Sequence, residues 1–292
     1  MDTQDLLKKV RKIEIKTRGL SSNIFAGQYH SAFKGRGMAF SEVREYQFGD
    51  DVRDIDWNVT ARFNHPFVKV FEEERELTLM LLVDVSGSLD FATRGQLKRD
   101  MATEMAATLA FSALQNNDKI GMIFFSDHIE KYIPPKKGRK HILYLIREML
   151  TFEPSSRKTD VCQALEFLLQ VMKRRCTAFV ISDFMMPESS YDNTVFRLAG
   201  RKHDLMSIQV YDRWAADLPD VGLLKVVDAE TGTEQYVDTS SRKLRRLYSD
   251  HWKQCQQKLK DTFTMSHIDC ISVTTDGDYV KALKGMFDMR IR

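Results

Sequence analysis

"LTLMLLVDVSGS", residues 77–88, is the stretch that decides the fold. Its apolar run of 79–83 is short and nearly continuous, which is typical of a strand buried on both faces of a parallel sheet. Asp84 follows the run directly, and serines stand two and four positions further on. A carboxylate at such a place is costly unless another group pairs with it. The stretch therefore predicts a central strand with polar chemistry at its carboxyl end.

Further apolar runs follow after residue 75. The other strand candidates are 119–125, 178–182, 205–211, 223–227 and 267–273. Segments of helical period separate them, such as 161–172, where apolar residues recur at i, i+3, i+4 and i+7. "DAETGTEQYV", residues 228–237, predicts a hairpin inserted late in the sheet. This alternation predicts an α/β fold with a mostly parallel sheet flanked by helices.

The first 75 residues have a different character. Leu6, Val10 and Ile13 form a small apolar face among lysines and arginines, which favours a short docking helix over a membrane-surface helix. Four aspartates then cluster at positions 50, 51, 54 and 56, with arginines close by in sequence, which favours ion pairs within a folded turn over a metal site. We expect residues 1–75 to be an N-terminal extension packed on a main domain of residues 76–292.

Composition and motifs exclude several classes of function. The net charge of +3, from 44 basic and 41 acidic residues, is too small to indicate a nucleic-acid-binding surface. The four cysteines form no C-x-x-C pair, and neither a phosphate-binding G-x-x-x-x-G-K-[ST] nor a G-x-S-x-G nucleophile motif occurs. No signal-peptide core or run of about 18 apolar residues is present, so we expect a cytoplasmic protein without a transmembrane segment.

Polar residues that follow the predicted strands form the candidate site. In a parallel sheet, residues just after different strands face the same crevice. Two carboxylates and three hydroxyls meet this condition: Asp84, Ser86, Ser88, Thr159 and Asp183. Thr159 precedes the helix of 161–172, with Asp160 as its expected cap. Such hard oxygen ligands suit Mg²⁺, and they accept Mn²⁺ as well.

This pattern resembles a known family. The order D-x-S-x-S, then a threonine before a helix, then an aspartate after an apolar strand resembles the metal-ion-dependent adhesion site of von Willebrand factor A domains. "EVREYQFGDDVRDIDWNVTAR" (42–62), followed by "VKVFEEERELTLMLLVDVSGS" (68–88), is similar to the bacterial family catalogued as domain of unknown function 58. Together the two resemblances cover roughly residues 30–292.

The resemblance implies a von Willebrand factor A-like, Rossmann-type domain that binds a divalent metal and has no catalytic activity. It also implies a working relationship with a MoxR-type AAA+ ATPase. The hydroxyl ligands add no negative charge, so the bound cation would stay electron-poor and capture an acidic side chain from a protein partner. We therefore expect a protein-interaction module whose metal ligands are the five residues named above.

Two alternatives remain open at this point. Asp84 also matches the nucleophile of haloacid-dehalogenase-like phosphatases, which use Mg²⁺ and a second aspartate two residues on as general acid. Ser86 stands at that second position and cannot transfer a proton near neutral pH, which counts against a phosphatase. In the second alternative, Ser86 and Ser88 only cap the following turn, and Asp84 only accepts hydrogen bonds from backbone amides.

Overall fold

The computed structural model describes residues 3–20, 39–72, 77–93, 96–186 and 191–291. These residues group into two units. Helix α1 (Thr3–Leu20) belongs with the described residues of 78–292, and the described residues of 33–77 form the other unit. The expected packing of residues 1–75 on the main domain stays a prediction.

The smaller unit is a two-stranded antiparallel sheet with a short helix. It contains β1 (Ala39–Glu45), α2 (Trp57–Phe63) and β2 (Phe67–Glu72). Asp56 caps α2 by accepting hydrogen bonds from two backbone amides of its first turn. The Arg44 guanidinium binds both carboxylate oxygens of Asp50, at 2.7 and 2.8 Å, and Arg53 pairs with Asp51. These aspartates therefore form ion pairs and a helix cap, as the sequence pattern predicts.

The larger unit is built on a six-stranded sheet. Its strands are β3 (Thr78–Asp84), β4 (Lys119–Phe125), β5 (Ile129–Lys136), β6 (Thr177–Ser182), β7 (Asp204–Tyr211) and β10 (Asp269–Thr274). The spatial order is β10-β7-β6-β3-β4-β5, with every neighbouring pair parallel except β4 and β5. This is the doubly wound order: strands are added first on one side of β3 and then, from β6 onward, on its other side. The predicted α/β fold with a mostly parallel sheet is confirmed.

Helices cover the sheet. They are α3 (Lys98–Gln115), α4 (Arg139–Thr151), α5 (Val161–Val171), α6 (Asn193–Lys202), α7 (Arg213–Ala216), α8 (Arg242–Met265) and α9 (Tyr279–Ile291). Helices α1, α3 and α4 contact one another, whereas α5, α6 and α8 form a second group. Met80 and Leu82 of β3 pack with Leu165 and Leu168 of α5. Because side chains alternate along a strand, the intervening residues of β3 face the other side of the sheet.

Helix α1 contacts α3 and α4 of the larger unit. Lys16 forms an ion pair with Glu104 of α3, and Glu14 forms one with Arg139 of α4. Thr17 is completely buried. Among the described helices, none has both the length and the apolar content that crossing a bilayer requires.

Two strand predictions need correction. Residues 223–227 do form a strand, β8, but it pairs only with β9 (Glu234–Asp238) in a separate hairpin, so neither strand joins the central sheet. The sixth central strand is instead β5, which contains Pro134 and Pro135. Proline cannot donate a ladder hydrogen bond, but β5 lies at the sheet edge, where one side needs no donors. The same prolines hide the strand from a pattern search.

Candidate metal centre

The two carboxylates of the candidate site lie at one edge of the central sheet. Asp84 is the last residue of β3, and Asp183 directly follows β6. The two strands are parallel neighbours, with Val83 opposite Ile181. Asp84 is 1% exposed and Asp183 is completely buried. The fold therefore brings the two acids together at the carboxyl end of the sheet, as predicted.

Asp84 is held by hydrogen bonds to both of its oxygens. Oδ1 accepts from the backbone amide of Ser86 at 2.8 Å, and Oδ2 accepts from the Ser182 hydroxyl at 2.6 Å. Burial nevertheless raises the pKa of Asp84, and the nearby charge of Asp183 raises it further. Without a cation, the site therefore resists carrying a second negative charge.

The three hydroxyl groups lie on two adjoining loops. Ser86 Oγ and Ser88 Oγ are 3.0 Å apart, and Ser86 is completely buried. The loop that carries Thr159 is joined to the first loop because Gly87 N donates to the Arg157 carbonyl at 3.1 Å. Thr159 Oγ1 is buried without a hydrogen-bond partner among the described residues. Asp160 then caps α5, as predicted, by accepting from two backbone amides of the first turn.

The donor set fits a hard divalent cation. Two neighbouring ligands of an octahedral Mg²⁺ at about 2.1 Å are about 3.0 Å apart, which is the separation of the Ser86 and Ser88 oxygens. A buried hydroxyl without a partner costs about 1 to 3 kcal/mol, and a cation beside Thr159 would remove that cost. Within the described ranges, no group of three or more His, Cys, Asp and Glu side chains is arranged to hold a metal ion. The serine and threonine oxygens would therefore have to supply most of the shell.

Lys98 is a site residue that the sequence reasoning missed. Its ammonium is buried and lies 2.9 Å from Asp183 Oδ2 and 3.3 Å from the Ser88 carbonyl. Asp183 Oδ1 accepts from the backbone amide of Met185. The lysine therefore compensates one of the two buried carboxylates. The available signal was a lysine at the first position of α3, an 18-residue helix in which 13 residues, Lys98 included, are buried.

A second polar cluster supports the loop that leads to Thr159. His128 Nδ1 lies 2.8 Å from Asp127 Oδ1, and its Nε2 lies 3.0 Å from Ser155 Oγ. The order of these groups is that of a serine-hydrolase triad. However, the Ser155 hydroxyl donates to Glu130, whose other oxygen accepts from the backbone amides of Ser155 and Ser156. Those two amides are thus already engaged and cannot form an oxyanion hole. The cluster braces the loop instead.

The geometry bears on both alternatives. A phosphatase nucleophile has to reach a phosphate, but Asp84 is buried and both of its oxygens already accept hydrogen bonds. The hydrogen bond from Ser86 N shows that Asp84 does stabilise the turn, as the simpler interpretation requires. That interpretation explains neither the unpartnered Thr159 hydroxyl nor the second buried carboxylate of Asp183.

Bacterial proteins of known sequence are similar to this chain. "Uncharacterized protein Rv1480" of Mycobacterium tuberculosis (strain ATCC 25618 / H37Rv) is 33% identical over 234 residues, which are 80% of this chain and 73% of the relative. "Uncharacterized protein YeaD" of Bacillus subtilis (strain 168) is 26% identical over 131 residues, 45% of this chain and 29% of the relative.

Solved structures show weaker similarity. The conserved hypothetical protein BatB from Bacteroides thetaiotaomicron superposes with a TM-score of 0.48 at 15% identity, over 73% of this chain and 98% of BatB. The SpRpn10 VWA domain superposes with a TM-score of 0.37 at 9% identity, over 74% of this chain and 95% of that domain. The fold assignment therefore rests on the strand order of the chain itself.

The family of the chain is shown by its sequence. The family model described as "Protein of unknown function DUF58" matches residues 42–258, which include the signature of the smaller unit and the whole candidate metal centre. The match covers well over half of the 292 residues. The chain therefore belongs to the DUF58 family.

Proposed function

We propose that this protein is a non-catalytic interaction module that uses a divalent cation, Mg²⁺ or Mn²⁺, to bind an acidic side chain of a partner protein. The cation would be held by the five residues predicted from the sequence: Asp84, Ser86, Ser88, Thr159 and Asp183. The single observation that carries the proposal is the buried, unpartnered hydroxyl of Thr159, on a loop hydrogen-bonded to the loop of Ser86 and Ser88. Buried polar groups in folded proteins almost always have a partner, so a buried hydroxyl without one indicates a bound ligand or another specific role.

The charges of the site support an acidic partner. Asp84 and Asp183 contribute two negative charges when ionised, and Lys98 offsets one of them. A bound divalent cation would reverse the sign and leave one positive charge in a largely buried place. A carboxylate from outside would neutralise that charge. An arginine or lysine from a partner would meet repulsion instead, so the site selects acids.

The family resemblance suggests what the partner is. We propose a MoxR-type AAA+ ATPase, or a client that such an ATPase acts on, as the donor of the acidic side chain. Recognition through a metal predicts that a chelator weakens this association. It also predicts that the effect of the chelator disappears once the metal ligands are removed.

The first experiment tests the metal. Mg²⁺ binding is measured by titration calorimetry, and the melting temperature is measured with and without Mg²⁺. We expect Mg²⁺ to stabilise the wild type, by about 2.7 kcal/mol at one hundred times its dissociation constant. Asp84→Ala should lose this effect, and Thr159→Val should weaken it. Thr108→Val is the matched control, since the buried Thr108 hydroxyl donates to a carbonyl within α3 and should not respond to Mg²⁺.

The second experiment tests the partner. Binding to a MoxR-type ATPase from a DUF58-containing bacterium is measured in Mg²⁺ and in chelator, for the wild type and for Asp84→Ala. We expect tight binding only for the wild type in Mg²⁺. Equal affinity in all four conditions would show that the ATPase is recognised through another surface.

A further inference from the structure

The turn of the β8–β9 hairpin lies directly on the metal-binding loop. A Cβ atom added to Gly87, in the middle of the D-x-S-G-S stretch, would lie 2.9 Å from the carbonyl oxygen of Ala229. It would also crowd the side chain of Arg157. Backbone therefore meets backbone here, and only glycine allows so close an approach. The residue after Ala229 is Glu230.

The turn is held in one conformation by its own residues. The Asp228 carboxylate accepts hydrogen bonds from the Glu230 amide and from the Thr231 hydroxyl, both at 2.9 Å. Gly232 has φ +72°, and its amide donates to the Asp228 carbonyl at 2.8 Å. These contacts present Glu230 at the tip of the hairpin as a defined feature of the surface.

The Glu230 carboxylate lies within electrostatic reach of the site. Burial raises its pKa, and the negative charges of Asp228, Asp183 and Asp127 raise it further, while Lys158 opposes them. Within the part of the chain that the structure describes, no hydrogen bond or ion pair engages this carboxylate. The hairpin therefore holds an acid without a hydrogen-bond or ion-pair partner near enough to the buried Asp183 for their charges to repel, an arrangement that costs free energy unless a cation lies between them.

We propose that Glu230 is an internal ligand of the cation and occupies the coordination position that an acidic partner takes. This inference rests on the proposed function. With Glu230 bound, the charges of the cation, Lys98 and the three carboxylates cancel, so the closed site needs no partner. An acidic side chain of a partner then has to displace Glu230 from the cation. The hairpin that carries Glu230 therefore lowers the affinity of the module for that partner.

The test compares three hairpin variants. Glu230→Gln removes the acid, and Glu230→Asp keeps the charge but shortens the side chain. Glu234→Gln is the matched control, because Glu234 lies in the same hairpin and pairs with Lys225 at 2.7 Å. Mg²⁺ affinity is measured by calorimetry. The number of water molecules on bound Mn²⁺ is measured by water-proton relaxation, with and without added acetate as the carboxylate probe.

We expect about a tenfold loss of Mg²⁺ affinity in Glu230→Gln, a comparable loss in Glu230→Asp and no change in Glu234→Gln. Mn²⁺ in Glu230→Gln should carry one more water than in the wild type, and acetate should displace it there but not in the wild type. Wild-type affinity and hydration in Glu230→Gln would overturn the inference. So would full affinity in Glu230→Asp, since the charge would then act only through space.

The two proposals fail in different ways. If wild type and Asp84→Ala show the same lack of Mg²⁺ binding, the metal site itself is wrong and this inference falls with it. If the wild type binds Mg²⁺ and Asp84→Ala does not, but Glu230→Gln behaves as the wild type, only the internal ligand is wrong.

Discussion

Replacing Asp84 by asparagine should stabilise the metal-free protein, although it removes a metal ligand. Asparagine has the same shape and keeps the oxygen that accepts from Ser86 N. It removes the negative charge that burial and Asp183 disfavour in the folded state. Such a change should not stabilise the protein if the residue serves packing alone. It should stabilise the metal-free protein if the carboxylate serves as a cation ligand.

The size of the stability gain expected for Asp84→Asn follows from the proton affinity of Asp84 in the folded protein. Burial and Asp183 raise the pKa of Asp84 from 3.8 to about 7. Each tenfold change in proton affinity is worth about 1.4 kcal/mol, so the shift corresponds to about 4 kcal/mol. The hydrogen bond from Ser182 is disturbed in the variant, which costs about 1 kcal/mol. The net gain should be about 3 kcal/mol at pH 8 in chelator.

The upward direction of the Asp84 pKa shift determines the pH range over which the stability of the protein changes. Because the folded state binds the Asp84 proton more tightly, the stability of the wild type should fall as pH rises from about 4 to about 7, and stay low above that. The variant should lack this slope. Urea denaturation in chelator between pH 5 and pH 9 measures both effects.

Asp212 provides a control at the same sheet edge. It is also buried, but hydrogen bonds from Thr93, Trp214 and Thr275 outweigh burial and hold the pKa of Asp212 below its ordinary value. Asp212→Asn should therefore destabilise the protein at pH 8. If Asp84→Asn also destabilises the metal-free protein, Asp84 is a structural residue rather than a cation ligand.

Three further predictions concern other parts of the chain. Gly87→Ala should destabilise the protein by about 1 to 3 kcal/mol in urea titrations, because its Cβ would lie 2.9 Å from the Ala229 carbonyl; an unchanged midpoint would mean that the hairpin yields freely. His203 is buried, and burial lowers its pKa to about 4, so stability should fall by about 3 kcal/mol as pH drops from 6.5 to 4, and His203→Gln should remove that slope. Removing residues 1–75 should expose the surface under α1 and cause aggregation; a soluble fragment 76–292 with a cooperative melt would contradict this.

Local patterns predicted much of the larger unit. The apolar run before Asp84 indicated a buried parallel strand, and four other central strands were found within one or two residues of their bounds. These predictions succeed because burial on both faces demands continuous apolar sequence. The edge strand β5 escaped prediction because its outer side faces no neighbour, which relaxes both its pattern and the usual exclusion of proline.

Some residues of the candidate site could likewise be predicted from the sequence, whereas others are identified only by the structure. Asp84, Ser86, Ser88, Thr159 and Asp183 could be selected from sequence, because parallel strands deliver their following residues to one edge. Glu230 could not, since nothing local distinguishes it from the other glutamates of the chain, and Lys98 carried only the weak signal of a lysine at the start of a largely buried helix. Only the packing of α3 against the sheet brings the Lys98 ammonium to Asp183. Likewise, only the placement of a separate hairpin sets Ala229 on Gly87. Sequence determines which strands end in polar groups, because that depends on neighbours along the chain. The tertiary structure decides which distant charges share a buried place, because that depends on how elements pack.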